Sequence, residues 1–335
     1  MGTRAQSCLA CVVRASCGAG ILPALFDGMS ERAGGTPAPQ RVATMNLPDF
    51  EYLEPASVGE ACALLAEDPD GSAVFAGGTD VLVNLKEGLV AYRRLVSLRR
   101  IENLARVECS ESAGLVIGAM ATVNQVARNE AVRRLYPGVI DAALSLAAEQ
   151  VRNLATVGGN LCSAVPSADM APVLLALGAR VRIASPEGER LLPLAELFTG
   201  PRATVLQAVD VLVAVEVPPK RVATGDASLR HGGRESLSLP LAIAAAVVTM
   251  DGDVCRHAMI ALGAVAPTPI VARSAGARLE GTKLDAEALR EAGEIACRET
   301  RPIDDLRASR AYRLDLVRVL TQRAVLRAAA RAGRG

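Results

Sequence analysis

Two double-glycine segments, Ala76-Gly77-Gly78-Thr79-Asp80 and Thr156-Val157-Gly158-Gly159-Asn160, constrain this chain more than any other feature. Each follows a short apolar stretch, Ala73-Val74-Phe75 before the first and Leu154-Ala155 before the second. Each ends on a polar residue able to cap a helix. Without a Cβ, glycine reaches positive φ and lets another group come close to the backbone. Amides freed at such a turn, beside a helix N-terminus, make an anion site. A lone Gly-Gly reads as a tight turn and nothing more. Two in one chain suggest a doubly charged linker such as a pyrophosphate, and so a dinucleotide. Neither segment fits the dinucleotide fingerprint, which needs three glycines opening one helix. The lysine-bearing phosphate loop of nucleotide hydrolases is also missing, so neither of the two commonest nucleotide-binding routes applies.

At 335 residues the chain suits two or three domains with a substantial core. Its net charge of +1 argues against nucleic acid as the main partner. Aromatic residues make up 2% and tryptophan is missing, so a flat cofactor ring would rest on aliphatic side chains and glycine backbone. Beyond Cys17 the cysteines, Cys62, Cys109, Cys162, Cys255 and Cys297, are widely separated and lack metal-ligand spacing. A reduced, cytoplasmic compartment fits them. Cys8-x-x-Cys11 with Cys17 has no second pair at ligand distance, and no metal site is expected. Residues 1–44, rich in Gly, Ala, Pro and Arg, read as a disordered leader or an extension from an upstream start codon. The apolar runs Gly20–Phe26 and Leu239–Met250 are too short to span a membrane.

Ser57, with Glu60 three residues on, caps a helix through Leu65. Ser72–Phe75 is a buried strand, and Asp80–Leu85 begins a helix after the first glycine turn. Leu95–Leu98 and Leu115–Ile117 are strands, Thr122 caps Val123–Asn129, and Tyr136–Ala148 is helical. After the second glycine turn, Asp169–Leu177 is a buried helix, and Arg180–Ala184 and Val211–Val217 are strands. Pro218-Pro219 stops the second of these strands, and Lys220–Asp226 reads as a linker. A smaller domain from Ala227 carries strands at Leu241–Met250 and His257–Val265 and helices at Asp285–Glu299 and Asp305–Ala330. The whole is α+β.

His231, beside Gly232-Gly233, reads as an exposed turn residue, and His257 as a structural residue in an apolar strand. No serine elbow, histidine pair or acid/base carboxylate pair is recognisable, so any chemistry is a cofactor's. Arg323, Arg327 and Arg331 form a basic stripe opposite Leu316, Val319, Leu320 and Ala324. This describes either an amphipathic helix docked on its own domain or a partner contact.

With both glycine segments placed, the chain resembles the FAD-binding subunits of molybdenum hydroxylases: the carbon monoxide dehydrogenase medium subunit and the flavin domain of xanthine dehydrogenase. The resemblance runs from about Leu47 to Ala330. It is carried by Phe75-Ala76-Gly77-Gly78-Thr79-Asp80-Val81-Leu82 and by Gln150–Asn160, continuing through Ser163, Pro166 and Ala168-Asp169 to Leu177. Asp305–Leu320, with Tyr312-Arg313, resembles the family's closing helix. The resemblance implies a vanillyl-alcohol-oxidase-type fold: two α+β subdomains over residues 45–219, split near 100, enclose FAD, and a small α+β domain (227–330) lies over the flavin. It implies a first wall of Val74, Phe75, Ala76, Gly77, Gly78, Thr79, Asp80 and Val81, and a second of Thr156, Gly158, Gly159, Asn160 and Ser163. Asp169 would hydrogen-bond the non-covalent cofactor, Leu212 would lie along the isoalloxazine, and Arg230 stands where xanthine enzymes have a flavin-side lysine. Leu146 replaces a stacking phenylalanine. The cluster-bearing insertion of the 4-hydroxybenzoyl-CoA reductase branch is missing near Cys162, which reads as a small buried side chain.

The function implied is electron relay: a molybdopterin subunit oxidises substrate, a [2Fe–2S] subunit carries electrons, and FAD here passes them to NAD, a quinone or oxygen. Partners would be those large and small subunits, with a dimer of heterotrimers as a possible assembly. Competing readings are a free-standing FAD oxidoreductase and an assembly subunit that has lost flavin.

Overall fold

The computed structural model describes residues 47–234 and 237–333; the leader and Cys8, Cys11 and Cys17 lie outside the described residues. The first subdomain alternates β1 (Glu51–Leu53), α1 (Val58–Glu67), β2 (Ser72–Phe75), α2 (Val81–Lys86) and β3 (Arg94–Ser97). Its three strands are parallel, in the order β1-β3-β2. The Ser57 Oγ accepts the Glu60 amide at 3.1 Å. Glu60 reaches back to the Ala56 amide at 2.7 Å, one residue earlier than a capping box requires. The face Ala61, Cys62, Leu65 is buried against Val96, Leu98 and Val211.

The second subdomain opens with the hairpin β4 (Val107–Ser110) and β5 (Gly114–Gly118). Six short helices follow: α3 (Val123–Arg128), α4 (Glu130–Leu135), α5 (Pro137–Ser145), α6 (Glu149–Arg152), α7 (Val157–Cys162) and α8 (Met170–Ala176). Then come β6 (Arg180–Ser185), β7 (Gly188–Pro193), β8 (Phe198–Gly200), β9 (Ala203–Thr204) and β10 (Val211–Val217). The main sheet is antiparallel, ordered β4-β5-β10-β6-β7. Thr122 and Gln125 exchange both bonds of a capping box at α3. The helix expected over Tyr136–Ala148 is shorter at both ends, because Pro137 starts it and Ala147 turns to a φ of 41° after its end. All seven residues of α8 are buried, which explains its lack of a polar face.

The third unit is a sheet of β11 (Thr224–Gly232), β12 (Pro240–Asp251), β13 (Val254–Gly263) and β14 (Ile270–Val271), backed by α9 (Arg273–Leu279), α10 (Ala286–Glu299) and α11 (Arg310–Ala332). The unbroken apolar run of β12 has a direct cause. Ala245 and Val247 join the core of the second subdomain, whereas Ala244, Ala246 and Val248 join the C-terminal core under α11. A strand buried on both faces has no reason to alternate.

Several boundaries differ from the sequence reading. The supposed linker residue Asp226 is fully buried within β11. His231 is a β11 residue whose Nε2 lies 3.2 Å from the Tyr312 hydroxyl, and the two rings meet edge-on. The last helix begins at Arg310, and the inward residue beside Leu320 is Val317, with Val319 exposed.

The C-terminal unit is joined to the second subdomain through β11, which lies between α5 and α11. A Cβ at Gly138 would sit 2.7 Å from Asp226 Oδ2, and one at Gly225 would collide with the Ala328 carbonyl. Contacts this close require glycine. The seam is polar at alternate β11 residues: Asp226 accepts the Gly138 amide at 2.7 Å, the Ser228 amide donates to Asp141 at 3.3 Å, and Arg230 donates to the Ser145 carbonyl. Arg327 and Arg331 of the basic stripe also pair with Asp141, at 3.3 and 2.6 Å. The stripe therefore crosses to the neighbouring domain as well as lying on its own. Among the described residues, no helix is long and apolar enough to cross a membrane.

Candidate functional site

The two glycine segments come together. A Cβ on Gly77 would collide with the Leu154 carbonyl oxygen and lie 3.2 Å from Ala155 Cα, immediately before the second segment. A Cβ on Gly159 would point toward the Ala76 methyl, 3.9 Å away. Arg202 ties the two sides further: its guanidinium is 3.8 Å from Asp80, and its amide donates to the Ala164 carbonyl at 2.9 Å. Nothing local in the sequence marks Arg202, since its partners are more than thirty residues away.

The two sides differ in kind. In the first, only Gly78 adopts positive φ, at 75°, with the Phe75 ring beneath it and braced edge-on by Tyr52. Phe75 thus supports the turn from below. Asp80 stands at the N-cap of α2 but makes no capping bond. The amides of Ala76, Gly77, Gly78, Thr79, Asp80 and Val81 donate to no acceptor among the described residues. Backbone donors are normally satisfied, by protein, water or ligand. Six in succession, around a turn closed by glycines, are left for water or a bound acceptor.

The second side is not the free turn expected. Val157, Gly158 and Gly159 are the first turn of α7, Thr156 is its cap, and Asn160 lies inside the helix. Their amides are already bonded, to Ala121 O, Ala119 O and Thr156 Oγ1. Gly158 is buried because a Cβ there would meet Ala119 at 2.6 Å; it permits close packing. Ser163 donates to the Asn160 carbonyl at 3.0 Å. Asn160 accepts the Met170 amide at 3.3 Å and keeps its side-chain Nδ2 without an acceptor among the described residues. Gly159 therefore offers a smooth backbone beside Ala76 of the first segment, and the next residue, Asn160, offers one amide donor.

Beyond Asn160 the wall continues into Asp169, the residue before α8. Its carboxylate lies 3.2 Å from Arg230 Nη1, and both side chains are 11% exposed. Burial pushes the Asp169 carboxyl up to about 6, against the pull of Arg230 and a bond from Ser145. Arg230 spends its other bonds on Ser145 O, at 2.5 Å, and on Ser238 O and Oγ. Leu212 on β10 and Leu146 after α5 are both buried in the second subdomain's core. His257 pairs with Glu280 at 2.8 Å, far from the glycines in sequence and on a different sheet. Cys162 is half-buried. Among the described residues, no three His, Cys, Asp or Glu side chains converge as metal ligands. Cavities of about 750 and 640 Å³ lie elsewhere, the first lined by Ser57, Arg100 and Glu108, the second by Arg134, Lys220 and Arg331.

Comparison with known proteins agrees with this architecture. Residues 48–220 match the FAD binding domain in molybdopterin dehydrogenase, and residues 227–328 match the CO dehydrogenase flavoprotein C-terminal domain. The carbon monoxide dehydrogenase medium chain of Afipia carboxidovorans is 34% identical over 283 residues, covering 84% of this chain and 98% of the relative. The putative xanthine dehydrogenase FAD-binding subunit of Escherichia coli K12 is 32% identical over 287 residues, covering 85% and 98%. Among solved structures, reconstituted CO dehydrogenase from Oligotropha carboxidovorans superposes with a TM-score of 0.82 at 32% identity, over 85% of this chain and 99% of that one. Quinoline 2-oxidoreductase from Pseudomonas putida 86 gives 0.81 at 34%, over 86% and 99%. With two matched domains in the same order, a converging pair of glycine walls and relatives aligned nearly end to end, the chain belongs to the FAD-binding subunits of the molybdenum hydroxylase family.

Proposed function

We propose that this subunit holds FAD between its two glycine walls and relays electrons from the [2Fe–2S] clusters of a small partner subunit to a terminal acceptor: NAD, a quinone or oxygen. A large molybdopterin subunit would oxidise the substrate, and two such heterotrimers would pair. The cysteine pattern supports a cytoplasmic setting. FAD supplies the capacity to exchange electrons singly or in pairs, which no side chain of this chain provides.

The observation that carries the reading is the run of six amides, residues 76–81, without an acceptor among the described residues, beside Gly159 of the second wall. It fits a pyrophosphate by number, by donor type and by the lack of Cβ atoms at the approach. Ala76, Gly77, Gly78, Thr79, Asp80 and Val81 would bind phosphate oxygens through the backbone, with Val74 and Phe75 shaping the strand end. Asn160 Nδ2 and the Ser163 hydroxyl would add polar contacts, while Thr156 and Gly158 hold α7 in place. Asp169 and Leu212 would border the ring, with Arg230 paired to Asp169. Arg202 holds the Asp80 carboxylate beside its own guanidinium, which limits repulsion of the phosphates.

Purification from the native host tests this. One FAD per chain, together with molybdenum and iron in stoichiometric partner subunits, is the expected result. A flavin-loaded active monomer without either metal favours a free-standing oxidoreductase, and a colourless chain that FAD cannot reconstitute refutes the cofactor reading.

A further inference from the structure

The carbonyls at the end of a helix have no partners within it and need donors from elsewhere. Helix α5 ends without the usual glycine. Ala147 takes the left-handed conformation, which a residue with a Cβ adopts only under strain. Two arginines supply the donors. Arg152 Nη1 reaches Leu144 O, Leu146 O and Ala147 O at 3.3, 2.9 and 3.3 Å. Arg230 Nη1, from the C-terminal sheet, takes the one between, Ser145 O. Four successive carbonyls thus accept from two guanidinium groups of different domains.

Each arginine is fixed in turn. Arg152 Nε donates to Asn124 Oδ1 at 3.3 Å, and Asn124 donates to Asn153 at 2.6 Å. Arg230 is held by Ser238 and by Asp169, whose neighbour Met170 donates to Asn160 of the second wall. A planar fork with several directed donors suits this work, and a lysine ammonium does not reproduce it.

We propose that Arg152 and Arg230 act as one positioning clamp on the turn after α5, and that this clamp is what Arg230 contributes to the site, in place of a charge beside the flavin ring. Both are positioning residues, and the assignment rests on the cofactor reading above only for its effect on FAD. The turn carries Leu146, and the clamp links it through Asp169 to the wall at Asn160. A loosened clamp therefore moves the ring-side end of the cleft.

Arg230→Lys keeps the charge and loses the fork; Arg230→Met loses both; Arg152→Lys tests the other arm. In FAD-free protein, amide hydrogen exchange should quicken at Leu146–Ala148 in all three variants and at Asp169–Ala171 in the two Arg230 variants. Exchange in α10 should stay as in wild type. Losing charged hydrogen bonds that hold the wall should speed FAD release about tenfold in R230K and R230M alike, with the midpoint potential of the retained flavin unchanged. Unchanged exchange in R152K and R230K overturns the clamp. So does a potential that shifts in R230M and returns in R230K while release stays constant, because charge beside the ring would then be the operative property. If R230M fails to fold, R152K and R230K decide the matter alone. If wild type takes up no FAD, the cofactor reading fails and the exchange data still decide the clamp.

Discussion

Adding a single methyl group at Gly77 should separate the two walls. The Cβ of Gly77→Ala would collide with the Leu154 carbonyl oxygen and stand 2.8 Å from its carbon. Ordinary contact begins near 3.4 Å, so the two segments must part by about 0.6 Å at the carbon and further at the oxygen. Neither partner is the tip of a flexible side chain, so the backbone itself has to shift. Overpacking of this kind costs about 1–3 kcal/mol of stability. The effect on cofactor binding should be larger than a generic destabilisation, because the shift misaligns the amides of residues 76–81. Loss of two charge-assisted bonds, at about 1.5–3 kcal/mol each, weakens FAD binding by roughly 10²- to 10⁴-fold. Titration of FAD-free protein followed by flavin fluorescence gives the affinity, and urea unfolding gives the stability. Gly59→Ala, in α1 with nothing within 4 Å of the added carbon, is the control and should leave both unchanged or slightly improved. Wild-type FAD affinity in a folded G77A protein would refute the two-walled site.

Three further outcomes follow from the geometry. The Asp169 carboxyl is raised by burial to about 6, so the native state holds its proton more tightly than the unfolded chain, whose value is 3.8. This group's contribution to stability therefore falls as pH rises from about 4 through 6, and the charged form costs about 3 kcal/mol above that window. In FAD-free protein, the stability of Asp169→Asn relative to wild type should rise by about that amount between pH 4 and pH 8; a difference that does not vary with pH would be evidence against a buried, raised carboxyl. Asp141→Ala removes the acceptor shared by Arg327, Arg331 and the Ser228 amide. About 3 kcal/mol should be lost, and near-ultraviolet dichroism and proteolysis should no longer report one coincident unfolding transition. Arg313 is 2% exposed and donates to Asp305, Leu241 O and Ala264 O. Arg313→Met should cost about 2–4 kcal/mol by urea unfolding and loosen the C-terminal sheet first, because it leaves two carbonyls without their donor while Asp305 keeps Arg307; an unaltered melting curve would rule this out.

Local chemistry was legible where its cause was local. The caps at Ser57 and Thr122 hold as their residue types and spacing imply. The alternation of β and α elements and the buried character of β12 and α8 also follow from pattern. Predictions failed where the partner was distant. The second glycine pair looked like the first, yet it lies inside a helix because Ala119, Ala121 and Thr156 satisfy its amides. The stripe from Arg323 to Arg331 gave no sign that Asp141, nearly two hundred residues away, would receive two of its members. Asp226 sat in an apparent linker, and only the Lys220 ammonium and Gly138 amide explain why it can be buried.

The sequence by itself determined that this chain has two places where backbone can be approached without a Cβ, and that a cofactor, more than any side chain, must do its chemistry. Glycine spacing and the scarcity of His and aromatics are enough for that. Only the tertiary structure decided how the two places share the work. The first supplies donors because none of the described residues satisfies its amides, and the second supplies a smooth surface because Ala121, Ala119 and Thr156 satisfy those of Val157, Gly158, Gly159 and Asn160. That difference depends on which backbone groups meet across the fold, and one-dimensional spacing carries no record of it.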